Sequence, residues 1–294
     1  MEIKAQFERS PAFGNARDER GVVTTSQMNN DDIGGNKKED WDERWSMTAS
    51  MENFIPGPAW RKQLILKFLR RYTTESDLVA DFGCGCGVFL SHLVREMPGI
   101  HPIGIDQSET GLKYAQQQIP SADFFLCDLS QDRESFCKEI QGKIHLAVCS
   151  EVLEHMENPI IALKNIKSCL AFNGILIVTV PGGPLTFYKK NLGHLKHYTS
   201  TSLGTLLGKA GFNVIDIFCA GFPFYNLYEV LIMLRGKKLI KDVENSKTSG
   251  FSNMPASVRV ASAFFRLVMN FNINFTQWGW QLLAIAQKNE EELG

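Results

Sequence analysis

What this chain lacks already narrows its class. It has no run of about 18 consecutive apolar residues, the length a helix needs to cross a bilayer. Its first residues show no basic, apolar, small-residue leader pattern, so neither stable membrane insertion nor a signal peptide is expected. Neither sign of charge is in excess, with 31 Lys and Arg against 32 Asp and Glu. A nucleic-acid face needs a local cationic surplus, and a pair such as Lys237 and Lys238 does not make one, so no nucleic-acid partner is expected. A paired cysteine framework is also missing. Cysteines 84, 86, 127, 137, 149, 169 and 219 are odd in number and sit mostly in apolar runs or beside glycines, which predicts reduced thiols and a cytoplasmic location. Cys84-x-Cys86 has no second pair at zinc spacing, and no metal is expected there.

What is present fits one large domain with appendages. Residues 1–40 are polar and turn-rich and predict a flexible tail. From Trp41 the composition changes. Trp41, Trp45, Met47, Met51 and Phe54 gather before Pro56-Gly57-Pro58, and Leu64, Ile65, Phe68 and Leu69 follow at helical spacing. Residues 41–76 therefore read as a helical cover, either packed on the main domain or closing over a ligand as a lid. Strands and helices then alternate. Strands are expected at 78–81, 102–106, 124–128, 144–149 and 175–180, with helices near 109–118 and 159–170. Thr199 is placed to cap a further helix that Gly211 ends, and 212–219 and 280–286 read as two last strands. This pattern implies an α/β fold, a Rossmann-like, seven-stranded, mostly parallel sheet with helices on both faces. Residues 77–221 and 277–289 form its core. Residues 222–276 are a helical insertion between strands six and seven, with two aromatic-rich helical patterns, and suit an acceptor pocket or a dimer face. A contact with a membrane surface is a further reading of its second helix.

The chain is organised around Asp77 to Leu93, a strand that leads through Asp81 into Gly83, Gly85 and Gly87 and then a helix. Such a turn brings a ligand against bare backbone at a helix N-terminus. A dinucleotide turn, G-x-G-x-x-G, would place its third glycine at Val88, so the spacing disfavours a pyrophosphate and a nicotinamide oxidoreductase. Three acidic or polar sites follow at consecutive strand ends, where open α/β sheets bind ligands. Asp106, 19 residues after Gly87, can accept from two ribose hydroxyls. Asp128 can accept from an adenine amine, with Leu129 against the ring, and Ser150 and Glu151 follow strand four. Each alone is as well explained by a solvated or capping side chain.

Together DFGCGCG, GIDQS, LCDLS, CSEVLEHM, GILIVTVPG and HYTSTSLGTLLGKAGF resemble the class I S-adenosylmethionine-dependent methyltransferases, in the small-molecule branch that includes ubiquinone-pathway and natural-product O-methyltransferases. The resemblance implies S-adenosyl-L-methionine as cofactor and a last strand that runs antiparallel beside the sixth. It also implies that Gly83, Cys84, Gly85 and Gly87 pass the methionine part, with Asp81 organising the turn. Asp106 and Gln107 would then hold the ribose, Asp128 and Leu129 the adenine, while Cys149 and Ser150 line the methionine side. The expected reaction is methyl transfer to an oxygen of a small organic metabolite, with secondary metabolism as one setting. N-methylation or noncatalytic cofactor binding is the alternative. Such a displacement needs positioning and, for a protonated nucleophile, a base. His155, His194 and His197 are the candidates, and Trp45, Tyr198, Phe222 and Tyr225 are candidate lid or acceptor contacts. His194-x-x-His197 lacks carboxylate or cysteine partners in the sequence, which leaves a metal unsupported. A homodimer remains compatible with the aromatic insertion.

Overall fold

The structure is a computed structural model that describes residues 41–48, 55–74, 77–131, 136–245 and 256–289, the side chains of 46–48 and 236–245 excepted. The tail expected over residues 1–40 lies outside the described residues. Two N-terminal helices, α1 (Trp41–Thr48) and α2 (Pro56–Leu69), precede the alternating part. This runs β1 (Leu78–Phe82), α3 (Val88–Glu96), β2 (His101–Asp106), α4 (Glu109–Gln118), β3 (Asp123–Leu126), β4 (Ile144–Ser150), α5 (Pro159–Cys169) and β5 (Leu170–Pro181). The C-terminal part comprises α6 (Phe187–Asn191), α7 (Ser200–Lys209), β6 (Phe212–Ala220), α8 (Phe224–Asn245), α9 (Ala256–Val268) and β7 (Gln281–Lys288).

The strands form one sheet in the order β3-β2-β1-β4-β5-β7-β6. β1 to β5 pair in parallel, and β7 inserts antiparallel to both β5 and β6. The near-continuous apolar runs of β1, β4 and β5 reflect burial on both faces. Successive residues of a strand point to opposite faces. Ala80, Phe82, Ala147 and Cys149 accordingly belong to one apolar cluster, and Val79, Leu146 and Val148 to the other. β5 begins at Leu170 rather than near Ile175 because α5 runs straight into it, with Leu170 paired to Ile144 before the register shifts. α7 ends as its sequence dictates. Thr199 and Ser202 form a capping box, and Gly211 adopts φ +82° just past the C-cap.

α2 is part of the second cluster, since Leu64, Ile65, Leu66, Phe68 and Leu69 are all buried and Phe68 meets Phe218 with ring centroids 5.0 Å apart. Phe68→Ala should therefore destabilise the protein by about 3–5 kcal/mol in urea unfolding, the range for a buried aromatic. A loss below about 1 kcal/mol would mean that α2 is a detachable cover.

The cysteine expectation needs correcting. Cys127 and Cys137 are joined in a disulfide, with Cα atoms 6.5 Å apart, while Cys84, Cys86, Cys149, Cys169 and Cys219 are free thiols. The bond ties the segment after β3 to a short 3-10 turn at Lys138–Ile140. The thiols are therefore not uniformly reduced, contrary to the expectation from their odd count and scattered spacing. Among the described residues no helix is long and apolar enough to cross a membrane.

Candidate functional site

The glycine turn lies at the carboxyl end of β1. The amides of Gly83 and Cys84 both donate to the Ile105 carbonyl, at 2.7 and 3.0 Å, which fastens the turn to β2. Gly83, Gly85 and Gly87 have φ of +85°, +53° and +76°, so side chains are disfavoured there whatever the space. The space is also taken. A Cβ on Gly83 would strike Val152, in the turn after β4, and one on Gly85 would strike the Trp45 indole of α1. α1 thus lies on the turn. Asp42 accepts from the Ser108 hydroxyl at 2.5 Å and the Thr110 amide at 2.9 Å, and Arg44 donates to the Leu192 carbonyl at 3.3 Å. Those donors from Ser108 and Thr110 hold the Asp42 carboxyl below its usual range. The Trp45 indole N–H is buried with no hydrogen-bond partner among the described residues.

Asp106 closes this side. Its two carboxylate oxygens accept from the Gly85 amide at 2.7 Å and the Ser108 amide at 2.8 Å, so the carboxylate sets the shape of the turn. Burial raises its carboxyl, and the amides of Ser108 and Gly85 oppose that shift. Gln107 is exposed, and Asp81 is buried behind the turn. Asp128 lies two residues past β3, where its Oδ1 accepts from the amide and the hydroxyl of Ser130, and Leu129 is buried in the core. Ser150 is bonded to Thr179 at 2.8 Å. Burial pushes the thiols of Cys84 and Cys149 well above their usual value, which makes both inert as nucleophiles.

The second half of the site follows β4. Glu151 has φ +58°, in the sparsely populated left-handed region. Its carboxylate is held by Gln281 at 2.9 Å and by Arg61 at 3.4 Å. The 3-10 turn Leu153–His155 then brings Glu154 and His155 to His194 of the loop after α6. One ligand-type atom from each of the three lies within 4.8 Å of the others. His194 therefore has a carboxylate neighbour that the sequence spacing did not reveal, and the second imidazole of the group is His155 and not His197. His197 Nδ1 donates to the Gly183 carbonyl at 2.6 Å, which leaves its Nε2 to accept, at 3.1 Å, from His194 Nδ1. Burial, reinforced by the neighbouring His155 and Lys189, drives His194 down to about 2, and burial also lowers His197. The Trp41 ring meets His155 edge-on at 5.0 Å.

Glu154 is fully buried, and neither of its oxygens has a hydrogen-bond partner among the described residues. Burial, then the Glu151 carboxylate, raises its carboxyl well above the ordinary 4.5. Folding therefore takes up a proton at Glu154. Its contribution to stability falls as pH rises above about 4.5 and levels off beyond the raised value. Thermal melts in chelator from pH 4.5 upward should show wild type losing stability relative to Glu154→Gln as pH rises. Parallel curves would refute the buried carboxyl.

The aromatic candidates fall into different settings. Tyr198 is buried with its hydroxyl on the Leu153 carbonyl at 3.0 Å, and Tyr225 is buried against Trp60 with centroids 4.9 Å apart. Phe222 meets Trp278 at 5.5 Å and lines, with Tyr198, Cys219 and Trp280, a cavity of about 580 Å³ at the ends of β5, β6 and β7. Lys189 of α6 pairs with Glu229 of α8 at 3.0 Å, which ties the insertion to the histidine loop. Sequence reasoning missed Glu154 and Arg61. The signal for Glu154 was a carboxylate three residues after Glu151 in an otherwise apolar turn.

A parallel sheet with one antiparallel strand, and a glycine turn and strand-end carboxylates at its carboxyl edge, define a Rossmann-like α/β protein of the cofactor-binding class. The model of a family described as a methyltransferase domain matches residues 59–217, more than half of the chain, and the chain belongs to that family. Among curated proteins it is 32% identical over 107 residues to a ubiquinone biosynthesis O-methyltransferase of Glaesserella parasuis, covering 34% of this chain and 44% of that protein. It is 31% identical over 108 residues to a trans-aconitate 2-methyltransferase of Yersinia pestis, covering 37% and 40%. These matches thus span less than half the length of the relatives. Similar solved structures include phosphoethanolamine N-methyltransferase 2 of Haemonchus contortus in complex with S-adenosyl-L-methionine, with TM-score 0.54, 16% identity and coverage of 86% of this chain and 60% of that one. Another is the [4+2]-cyclase SpnF, with TM-score 0.52, 17% identity and coverage of 78% and 81%. At such identities the likeness is one of fold. A cyclase among the neighbours shows why the activity must be argued from the site.

Proposed function

We propose that the chain transfers a methyl group from S-adenosyl-L-methionine to an oxygen of a small organic molecule. The observation that carries this reading is the position of the glycine turn with Asp106 beside the Glu154–His155–His194 group, both at carboxyl ends of central strands and linked by Val152 against Gly83. The turn suits the cofactor, because its three left-handed glycines keep the backbone bare at the N-terminus of α3 and the buried Trp45 N–H packed on it has no acceptor among the described residues. Each Asp106 oxygen keeps a lone pair for a ribose hydroxyl, and Asp128 stands at the next strand end for the adenine amine. When bound, the cofactor supplies an electrophilic methyl group on a sulfonium. α1 excludes water from the turn through Trp41 and Trp45, which favours a reaction in which charge is lost.

Oxygen is favoured over nitrogen as the acceptor atom because a hydroxyl must lose a proton, whereas an amine attacks as its free base. The Gly183–His197–His194 chain fixes the His194 tautomer with Nε2 unprotonated, so that Nε2 can orient the hydroxyl by accepting its hydrogen bond, and Glu154, once ionised above its raised value, can take the proton. Calorimetry with S-adenosylmethionine, S-adenosylhomocysteine and NAD tests the cofactor, and S-adenosylhomocysteine production with hydroxyl, carboxylate and amine acceptors tests the atom. Binding of NAD alone would end the proposal, and turnover confined to amines would end its oxygen part.

A further inference from the structure

We infer that Glu154, His155 and His194 form a binding site for one first-row transition-metal dication. The inference goes beyond methyl transfer and does not depend on it. Two imidazoles and a carboxylate are a donor set of the type that binds Zn²⁺, Fe²⁺, Mn²⁺ or Co²⁺ with coordination positions left open. Here the three come from two separate parts of the chain, the turn after β4 and the loop after α6, yet offer ligand atoms within 4.8 Å of one another. Around a bound ion those atoms would stand about 3–3.5 Å apart, since metal–ligand bonds are about 2.0–2.2 Å.

Two independent features point to a cation. First, Glu154 is fully buried and neither oxygen has a partner among the described residues. An ionised carboxylate buried without donors carries a large penalty, which a bound cation relieves as a proton does. The nearby cations are already engaged, Arg61 with Glu151 at 3.4 Å and Lys189 with Glu229 at 3.0 Å. Second, the hydrogen-bond chain behind His194 has the form of a ligand's outer support. The Gly183 carbonyl accepts from His197 Nδ1, and His197 Nε2 accepts from His194 Nδ1, which leaves His194 Nε2 with its lone pair. A metal-bound histidine characteristically donates its other nitrogen in this way, which orients the ring and raises its basicity. His155, whose ring lies 4.7 Å from that of His194, is steadied on its other side by Trp41.

The test uses the full-length protein, freed of metal by chelator and titrated with Co²⁺ without cofactor or acceptor, followed by calorimetry and by visible absorption. One saturable Co²⁺ per chain is expected, with a ligand-field band that Zn²⁺ abolishes by displacement. Glu154→Gln and His194→Gln should each weaken Co²⁺ binding at least 100-fold, and His197→Phe, which removes only the outer support, about 10- to 100-fold. Circular dichroism of each variant establishes that it is folded. The site is refuted if Co²⁺ does not saturate at one per chain, or if folded Glu154→Gln and His194→Gln bind it as wild type does. S-adenosylmethionine calorimetry on the metal-free protein reports separately on the proposed function, so either reading can fail without the other.

Discussion

Asp106→Ala is expected to lower S-adenosylmethionine affinity at least 100-fold in calorimetry. The proposed ribose contacts are only part of the loss. Asp106 also holds the Gly85 amide at 2.7 Å and the Ser108 amide at 2.8 Å, and alanine leaves both donors without their acceptor. Hydrogen bonds to a charged group are worth about 1.5–3 kcal/mol each, so the loss of two ribose hydroxyl contacts suffices for the expected change in affinity, while the loss of the two amide bonds disturbs the turn itself. Asp106→Asn keeps one carbonyl oxygen and should fall between, at roughly tenfold. The Ser108 hydroxyl also anchors Asp42 of α1, so Asp106→Ala should loosen that helix, visible as faster amide exchange over 41–48. Wild-type affinity in Asp106→Ala would remove the ribose assignment and the structural role together.

Gly87→Val should be the most damaging single change in the turn. The residue has φ +76°, and a Cβ there would lie 2.7 Å from Ala115 Cβ and 3.0 Å from Ala115 Cα, a backbone atom that cannot rotate aside. Strained backbone and overpacking each cost about 1–3 kcal/mol, and a β-branched residue incurs both. Against a total stability of about 5–15 kcal/mol, a drop of roughly 10 °C in Tm or loss of soluble protein is expected. Gly208→Ala is the control. A Cβ at Gly208 meets nothing within 4 Å among the described residues, and the residue sits inside α7, so alanine should stabilise by about 0.5–1 kcal/mol. Equal melting of Gly87→Val and wild type would overturn this account of the turn.

The fold was legible in the sequence because its cues are local. Apolar runs bounded by glycine, proline and polar residues gave seven strands, Thr199 and Gly211 marked both ends of α7, and the alternating glycines marked the turn after β1. What escaped depends on chain closure. Glu154 reads as one acidic residue in EVLEHM, and its meaning appears only when the loop after α6 returns His194 to it. Trp45 against Gly85 requires α1 to fold back over β1, and the Arg61–Glu151 pair joins α2 to the end of β4. The Cys127–Cys137 bond closes a loop whose course no periodicity encodes. Strand edges were missed by a few residues where a helix runs directly into a strand, as at Leu170.

The placement of β7 bears on how the molecule comes into being. Within the sheet β6 pairs with β7 alone, and β7 reaches β6 and β5 at once. During synthesis β1 to β5 can assemble as they emerge, but residues 212–220 find no strand neighbour until residues 281–288 have been made. Until then the apolar face of β6 and the aromatic helices that follow stay exposed on the nascent chain. That interval, set by the order of residues and not by their chemistry, is when this protein most needs a chaperone.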